Sequence, residues 1–252
     1  AVQLKYFWTE PELIEAARRG ELDGVICKTW PALKAARAAG VNLDRLADVS
    51  MPGKEIVKNA GLHGERLAIP LPGPEQLSAI VFARGDRGIR SLKDLAGRKL
   101  AIGNEDSYEK SFSVRKLLAQ AGVSPEYVVI PTCLRAASAV RDGEVDAAAM
   151  SSYAFLFGTL EAAELALEAA ELKLPPLPGG ATTVPAGGPT GVAVLGSTAP
   201  IPFVTIGLFD RVDAGVRDRL RKLLNDPAGS WPADLGLTRI MPPADWQPAE
   251  LK

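Results

Sequence analysis

Proton transfer or nucleophilic attack needs a nucleophile, a base and a group that orients the base. The sequence offers little of this. Its single histidine, His63, sits in Gly61-Leu62-His63-Gly64-Glu65, which reads as a polar turn. Its two cysteines, Cys27 and Cys133, are too few for a disulfide scaffold, and two buried thiols or one bridge both stay open. Ser151-Ser152 lacks the Gly-x-Ser-x-Gly elbow. Zinc-type cysteine pairs, a histidine-rich set and a Walker loop are all missing, so neither metal nor cofactor is expected. An enzyme is the weakest of the function classes.

Binding chemistry is better provided for. Asn104-Glu105-Asp106-Ser107-Tyr108-Glu109 follows a predicted strand, Lys99–Gly103, and opens a helix predicted over 107–122. A helix N-terminus attracts anions through its free amides. Here Glu105, Asp106 and Glu109 stand at that end. An anionic ligand 4 Å from one of these carboxylates, at an effective dielectric near 20, would meet a repulsion of about 4 kcal/mol. That is roughly three decades of affinity. Lys28, Lys110 and Arg135 are the cations that could offset it, without forming a cluster. Asp106 reads either as an N-cap pointing away or as an acceptor for a ligand hydroxyl or amine.

Other predicted strand ends carry Thr29 and Trp30, Thr132 and Cys133, Ser151, Ser152 and Tyr153, and Phe203. Apolar or aromatic residues with a few hydroxyls are the usual lining of a small-molecule pocket. Trp30 and Tyr153 read equally as core packing or as ligand stacking. The ligand-binding candidates are Thr29, Trp30, Asn104, Asp106, Ser107, Tyr108, Ser151, Ser152 and Tyr153.

The elements that must hold these residues alternate strand and helix. Residues 2–7 read as a strand. A helix capped by Thr9, with Pro11 in its first turn, runs to Gly20. Leu22–Cys27 is a strand and Pro31–Gly40 a helix. Residues 51–75 read as loops around short extended pieces. Strands at 76–83, 99–103, 128–131 and 145–150 alternate with helices at 91–97, 107–122, 134–143 and about 154–173. Residues 174–190 are rich in Pro and Gly. Strands at 191–195 and 204–209 and a helix at 214–224 close the pattern. Repeated strand–helix units imply an α/β fold with largely parallel sheets.

With 252 residues, 47% apolar and 23% charged, the chain suits two lobes with real cores. Net charge is −1 and the cations are scattered, so the footprint of a nucleic-acid binder is missing. No stretch approaches the ~18 apolar residues of a membrane span.

Four segments in order give the chain a relative. They are Gly88-Ile89-Arg90-Ser91-Leu92-Lys93-Asp94-Leu95-Ala96-Gly97-Arg98-Lys99-Leu100-Ala101, Val140-Arg141-Asp142-Gly143-Glu144-Val145-Asp146-Ala147-Ala148, Thr198-Ala199-Pro200-Ile201-Pro202-Phe203 and Arg18-Arg19-Gly20-Glu21-Leu22-Asp23-Gly24-Val25. Together they resemble the phosphonate/phosphite-type periplasmic solute-binding family. The resemblance implies a type II periplasmic-binding-protein fold with a ligand cleft between two lobes, 1–83 with 200–252, and 84–199. It implies a monomeric periplasmic receptor that takes a small molecule and delivers it to a membrane transporter component. Two departures stand out. Family members usually begin with a further strand–helix unit of some 35 residues. Where the family usually has a Ser-Thr-Ser-Gly-like run, only Ser107 keeps a hydroxyl. The ligand is therefore expected to be neutral or cationic rather than a simple phosphonate, such as a lipid or sterol. A ligand-sensing subunit of a signalling system and a phosphonate- or phosphate-type anion receptor are the alternatives.

Overall fold

The computed structural model describes residues 3–50, 54–60, 65–71, 76–157, 192–226 and 239–248. His63 and the predicted segments over 158–190 lie outside them. The chain forms two compact units, one of residues 1–54, 71–76 and 202–252, the other of residues 55–70 and 77–201.

Unit one opens with α1 (Glu10–Arg18), set by a capping box in which Thr9 and Glu12 cap each other's backbone. Strand β1 (Gly24–Lys28) leads into α2 (Thr29–Ala38), which starts two residues before the predicted Pro31. Strand β2 (Leu43–Ser50) follows. Later in the chain come β12 (Val204–Phe209), α6 (Ala214–Leu224) and β13 (Arg239–Met241). These strands form one sheet in the order β1-β12-β2-β13, and every pairing in it is antiparallel. The largely parallel expectation fails here because β12 returns late in the chain and inserts between β1 and β2. Leu13, Ala16, Ala17, Val25, Ala32, Ala35 and Phe209 make the core under α1 and α2. The predicted first strand joins no sheet among the described residues: residues 3–7 are not in a strand, and Leu4 and Tyr6 are exposed.

The extended pieces expected within 51–75 are strands. β3 (Lys54–Ala60) and β4 (Glu65–Leu71) pair as a two-stranded sheet, followed by the short β5 (Gln76–Leu77).

Unit two holds β6 (Ala79–Arg84), β7 (Lys99–Ile102), α3 (Phe112–Gln120), β8 (Glu126–Val129), α4 (Cys133–Arg141), β9 (Ala147–Ser151), α5 (Ser152–Phe157) and β10 (Val192–Ser197). A further two-residue strand, β11 (Ile201–Pro202), precedes β12. The predicted helix at 91–97 is a single 3₁₀ turn, Leu92–Leu95, with Ser91 and Asp94 in a capping box. The sheet order is β10-β6-β9-β7-β8. β7 pairs in parallel with β8 and β9, whereas β6 is antiparallel to β9 and β10. The sheet is thus mixed, and parallel only where strand–helix units follow one another. Side chains alternate across it. Val81, Leu100, Ile102, Ala147 and Ala149 face α3, with Val114 and Leu118 packed on them. Phe82, Ala101, Ala148 and Met150 face α4 and α5, through Ala136, Ala139, Val140 and Phe155.

Candidate functional site

In unit two the parallel strands stand in the order β9-β7-β8, and their carboxyl ends feed the segments 103–111, 130–132 and 151–153. β7 leads to α3 on one face of the sheet, and its neighbour β9 leads to α5 on the other. Adjacent parallel strands whose helices leave to opposite faces mark the switch point where open α/β sheets bind ligands. That point lies between 103–111 and 151–153, so the topology brings Asn104, Asp106, Ser107 and Tyr108 to the same end of the sheet as Ser151, Ser152 and Tyr153.

The predicted helix start at 107 is displaced. α3 begins at Phe112, and the residues before it fold as consecutive turns. The Ser107 amide donates to the Asn104 carbonyl at 3.0 Å. The Lys110 and Ser111 amides both donate to the Ser107 carbonyl, at 3.1 and 2.9 Å. The Gly103 amide closes the loop on the Lys110 carbonyl at 3.1 Å. Asp106 is therefore not the cap of this helix. Ser111 occupies the cap position, without a side-chain bond to the helix, and Asp106 is exposed six residues before the first helical residue.

Tyr108 is buried, and its ring stacks on Phe112 with centroids 5.7 Å apart. Ser107 is buried and its hydroxyl donates to the Glu109 carboxylate at 3.2 Å. Glu109 is only 3% exposed, and Ser107 is its one hydrogen-bond donor among the described residues. Lys110, 8% exposed, turns its ammonium to the Pro131 carbonyl at 3.1 Å. Its stem lies across Gly103, where an added Cβ would come within 2.8 Å of the Lys110 Cβ. Glu109 and Lys110 are the pair that sequence reasoning left off the candidate set. The acid run drew attention to Glu109, but burial of both could not be read from residue types alone.

Ser151 and Ser152 are buried and serve the backbone. The Ser151 hydroxyl accepts from the Ala154 amide at 3.3 Å, which opens α5. The Ser152 hydroxyl accepts from the Ser78 amide at 3.2 Å, and the Ser152 amide returns a bond to the Ser78 carbonyl at 2.7 Å. Each hydroxyl keeps its own proton to donate. Thr198 braces the next residue in the same way, accepting from the Ala79 amide at 2.8 Å. The side chain of Tyr153 lies outside what the structure describes.

In unit one, Thr29 and Trp30 open α2 at the end of β1. Both are buried. The Thr29 amide donates to the Phe203 carbonyl at 3.1 Å, while its hydroxyl oxygen meets no partner among the described residues. Leaving a buried hydroxyl unpaired costs about 1–3 kcal/mol, so such an atom is completed readily by a ligand or an ordered water. The Lys34 ammonium sits over the Trp30 ring, 5.2 Å from its centroid, and also pairs with Glu10. Cys27 and Cys133 are both free thiols. Burial, reinforced by the Glu10 charge, pushes the Cys27 thiol up to about 12. Among the described residues no cluster of His, Cys, Asp and Glu could hold a metal ion, and no helix is long and apolar enough to cross a membrane.

The sequence matches the family described as "ABC transporter, phosphonate, periplasmic substrate-binding protein" over residues 1–250. No curated protein matches. Among solved structures, XAC2383 from Xanthomonas citri bound to ATP is similar, with TM-score 0.63 and 17% identity over 96% of this chain and 80% of that one. A binding protein component of an ABC phosphonate transporter from Pseudomonas aeruginosa has TM-score 0.53 and 14% identity, over 97% of this chain and 71% of that one. PhnD1 from Prochlorococcus marinus, in complex with methylphosphonate, has TM-score 0.50 and 14% identity, over 89% and 72%. At these identities the likeness is one of fold.

Proposed function

Since the chain belongs to the phosphonate family of periplasmic substrate-binding proteins of ABC transporters, we propose that it captures a small solute at the carboxyl ends of β7 and β9 and hands it to a membrane transport partner, and that the solute is not a simple phosphonate. The family is a transport component, which favours binding over catalysis. It also favours a periplasmic location. Asn104, Ser107, Tyr108, Ser151 and Ser152 are the contacts proposed at those strand ends.

One observation supports the reading against a simple phosphonate. The turn that would seat an oxyanion is folded onto its own carbonyls, and a buried carboxylate, Glu109, stands in it. An oxyanion needs donors aimed at it, whereas the amides of Ser107, Lys110 and Ser111 are already engaged. A phosphonate-type anion is the competing reading, and the family match itself favours it. Neither the match nor the geometry favours a lipid, a sterol or a signalling role.

Native mass spectrometry of the purified protein, with identification of any co-purified molecule, tests the proposal together with titration calorimetry against methylphosphonate and phosphite. The expected result is no binding of either anion below about 1 mM. Sub-micromolar binding of methylphosphonate would restore the competing reading.

A further inference from the structure

The sheet of unit one ends on an open edge. The Asp23 carbonyl accepts from the Phe209 amide at 2.8 Å, and the Thr29 amide donates to the Phe203 carbonyl at 3.1 Å. Both bonds run along the β12 side of β1, and the bonding direction alternates along a strand. Gly24 and Ile26 therefore turn their amides and carbonyls, and Lys28 its amide, to the other side. β1 is the last strand of its sheet on that side, and these groups meet no partner among the described residues. Ile26, in the middle of the edge, is 53% exposed. Folded proteins usually blunt such an edge with charge, proline, a bulge or a covering element. Here Lys28, at the end of the strand, is the one charge on it.

The same unit carries a strand-like segment that no sheet holds. Residues 3–7 have a strand's composition and lie outside any strand. Phe7 packs on the cluster that contains Val25 and Cys27, and Lys5 pairs with Glu21 at 2.6 Å. The alternate residues Leu4, Tyr6 and Trp8 are 63, 83 and 94% exposed. In a strand these three would share the face opposite Phe7, as Ile26 lies opposite Val25 and Cys27. The two deficits match. The edge lacks backbone partners and an apolar row beside Ile26, and the segment offers both.

We infer that two copies of this chain exchange these segments, residues 3–7 of each pairing as an added strand with Gly24–Lys28 of the other. The exchange is reciprocal, so one two-fold axis completes both edges and closes the assembly at two copies. Leu4 and Tyr6 then come beside Ile26, with Phe7 on the side of Val25 and Cys27. A second copy is favoured over a foreign strand because a foreign strand would fill the edge and still leave Leu4, Tyr6 and Trp8 in water. The dimer departs from the monomer that the resemblance implies, and it does not depend on where the ligand binds.

The test uses the full chain. Sedimentation velocity over about 1 to 100 µM should show monomer passing to dimer as concentration rises. Leu4→Asp with Tyr6→Asp changes exposed side chains alone and should weaken dimerisation at least about tenfold. Ile26→Pro should do the same, since the amide it removes points to the open edge rather than to β12. Cysteine trapping reports the location. With Cys27 and Cys133 replaced by Ala, a chain carrying Tyr6→Cys is mixed with a longer, tagged chain carrying Ile26→Cys, and mild oxidation should join the two. A monomer at every concentration overturns the inference. A dimer that survives the Leu4 and Tyr6 changes also overturns it, because its interface lies elsewhere. So does a bond that forms only within a chain carrying both new cysteines, which would show the segment closing on its own edge.

Discussion

Arg45 and Asp48 in unit one lie three residues apart on β2 and meet through the Arg45 Nη2, which donates to both carboxylate oxygens at 2.6 and 2.7 Å. Regular strand residues three apart face opposite ways. Here the register slips between Arg45 and Ala47, so Leu46 is an extra residue and both charges reach one side. Asp48 accepts a further bond from the Ala244 amide at 2.8 Å, and Arg45 donates to the carbonyls of Ala244 and Trp246 and to the Thr205 hydroxyl. Every strong group in this cluster has a protein partner. Glu109 and Lys110 in unit two are buried as deeply but are left incomplete. The first pair fastens the C-terminal segment to the sheet. The second makes lighter bonds: Lys110 ties the turn to the Pro131 carbonyl and Glu109 accepts only from Ser107 among the described residues.

Breaking the closed pair should have the largest effect. Asp48→Ala leaves the Arg45 guanidinium buried without its counter-ion, which costs about 3–5 kcal/mol. Urea unfolding should show it as a lower midpoint with an unchanged slope, and limited proteolysis should cut first within 239–248. A loss below about 1 kcal/mol would mean the pair is not what holds that segment.

Gly103→Ala probes the open pair from behind. The new Cβ would meet the Lys110 Cβ, a stem atom that cannot swing away without moving the backbone. Overpacking of this kind costs about 1–3 kcal/mol. The same change should shift the amide resonances of Lys110 and Pro131 while sparing those of 43–50. Unshifted resonances at Lys110 would show that the stem does not lie across Gly103.

Cys27 is a third case, an ionisable group the fold keeps neutral. Its folded value is about 12 against an ordinary 9.0. Above pH 9 the unfolded thiol loses its proton while the folded one keeps it, so stability falls as pH rises, by about 1.4 kcal/mol per pH unit up to about pH 12. Unfolding measured at pH 8 and pH 10 should show this slope in the unaltered protein and less of it in Cys27→Ala. Equal slopes would mean that Cys27 is not kept neutral by burial.

Much of this layout is legible in the residues. Thr9 announces α1, and the structure finds its hydroxyl on the amide of Glu12. Val204–Phe209 is a strand, as read from the sequence. What stayed illegible depended on partners distant in sequence. Residues 3–7 have a strand's composition, but a strand exists only with a hydrogen-bonded neighbour. α3 starts at Phe112 rather than 107, and the residues before it form turns that the Gly103 amide closes on the Lys110 carbonyl. The candidate set took Asp106 over Glu109 because a cap position was assumed, and the same displaced start exposed the one and buried the other.

The smallest stability effect should come from Glu109. Glu109→Gln keeps the shape of the side chain and can still accept from Ser107, while removing a buried charge that the fold itself does not compensate. If that charge exists for a ligand, the unliganded protein should gain or hold stability, by about 0 to 1 kcal/mol, because sites kept for function are commonly costly to the fold. If it instead had a structural partner, as Asp48 does, the same substitution would destabilise by several kcal/mol. Thermal unfolding of ligand-free Glu109→Gln therefore separates the two pairs without any knowledge of the ligand. A melting temperature well below that of the unaltered protein would place Glu109 with Asp48 among the fasteners and remove the contrast between the two units.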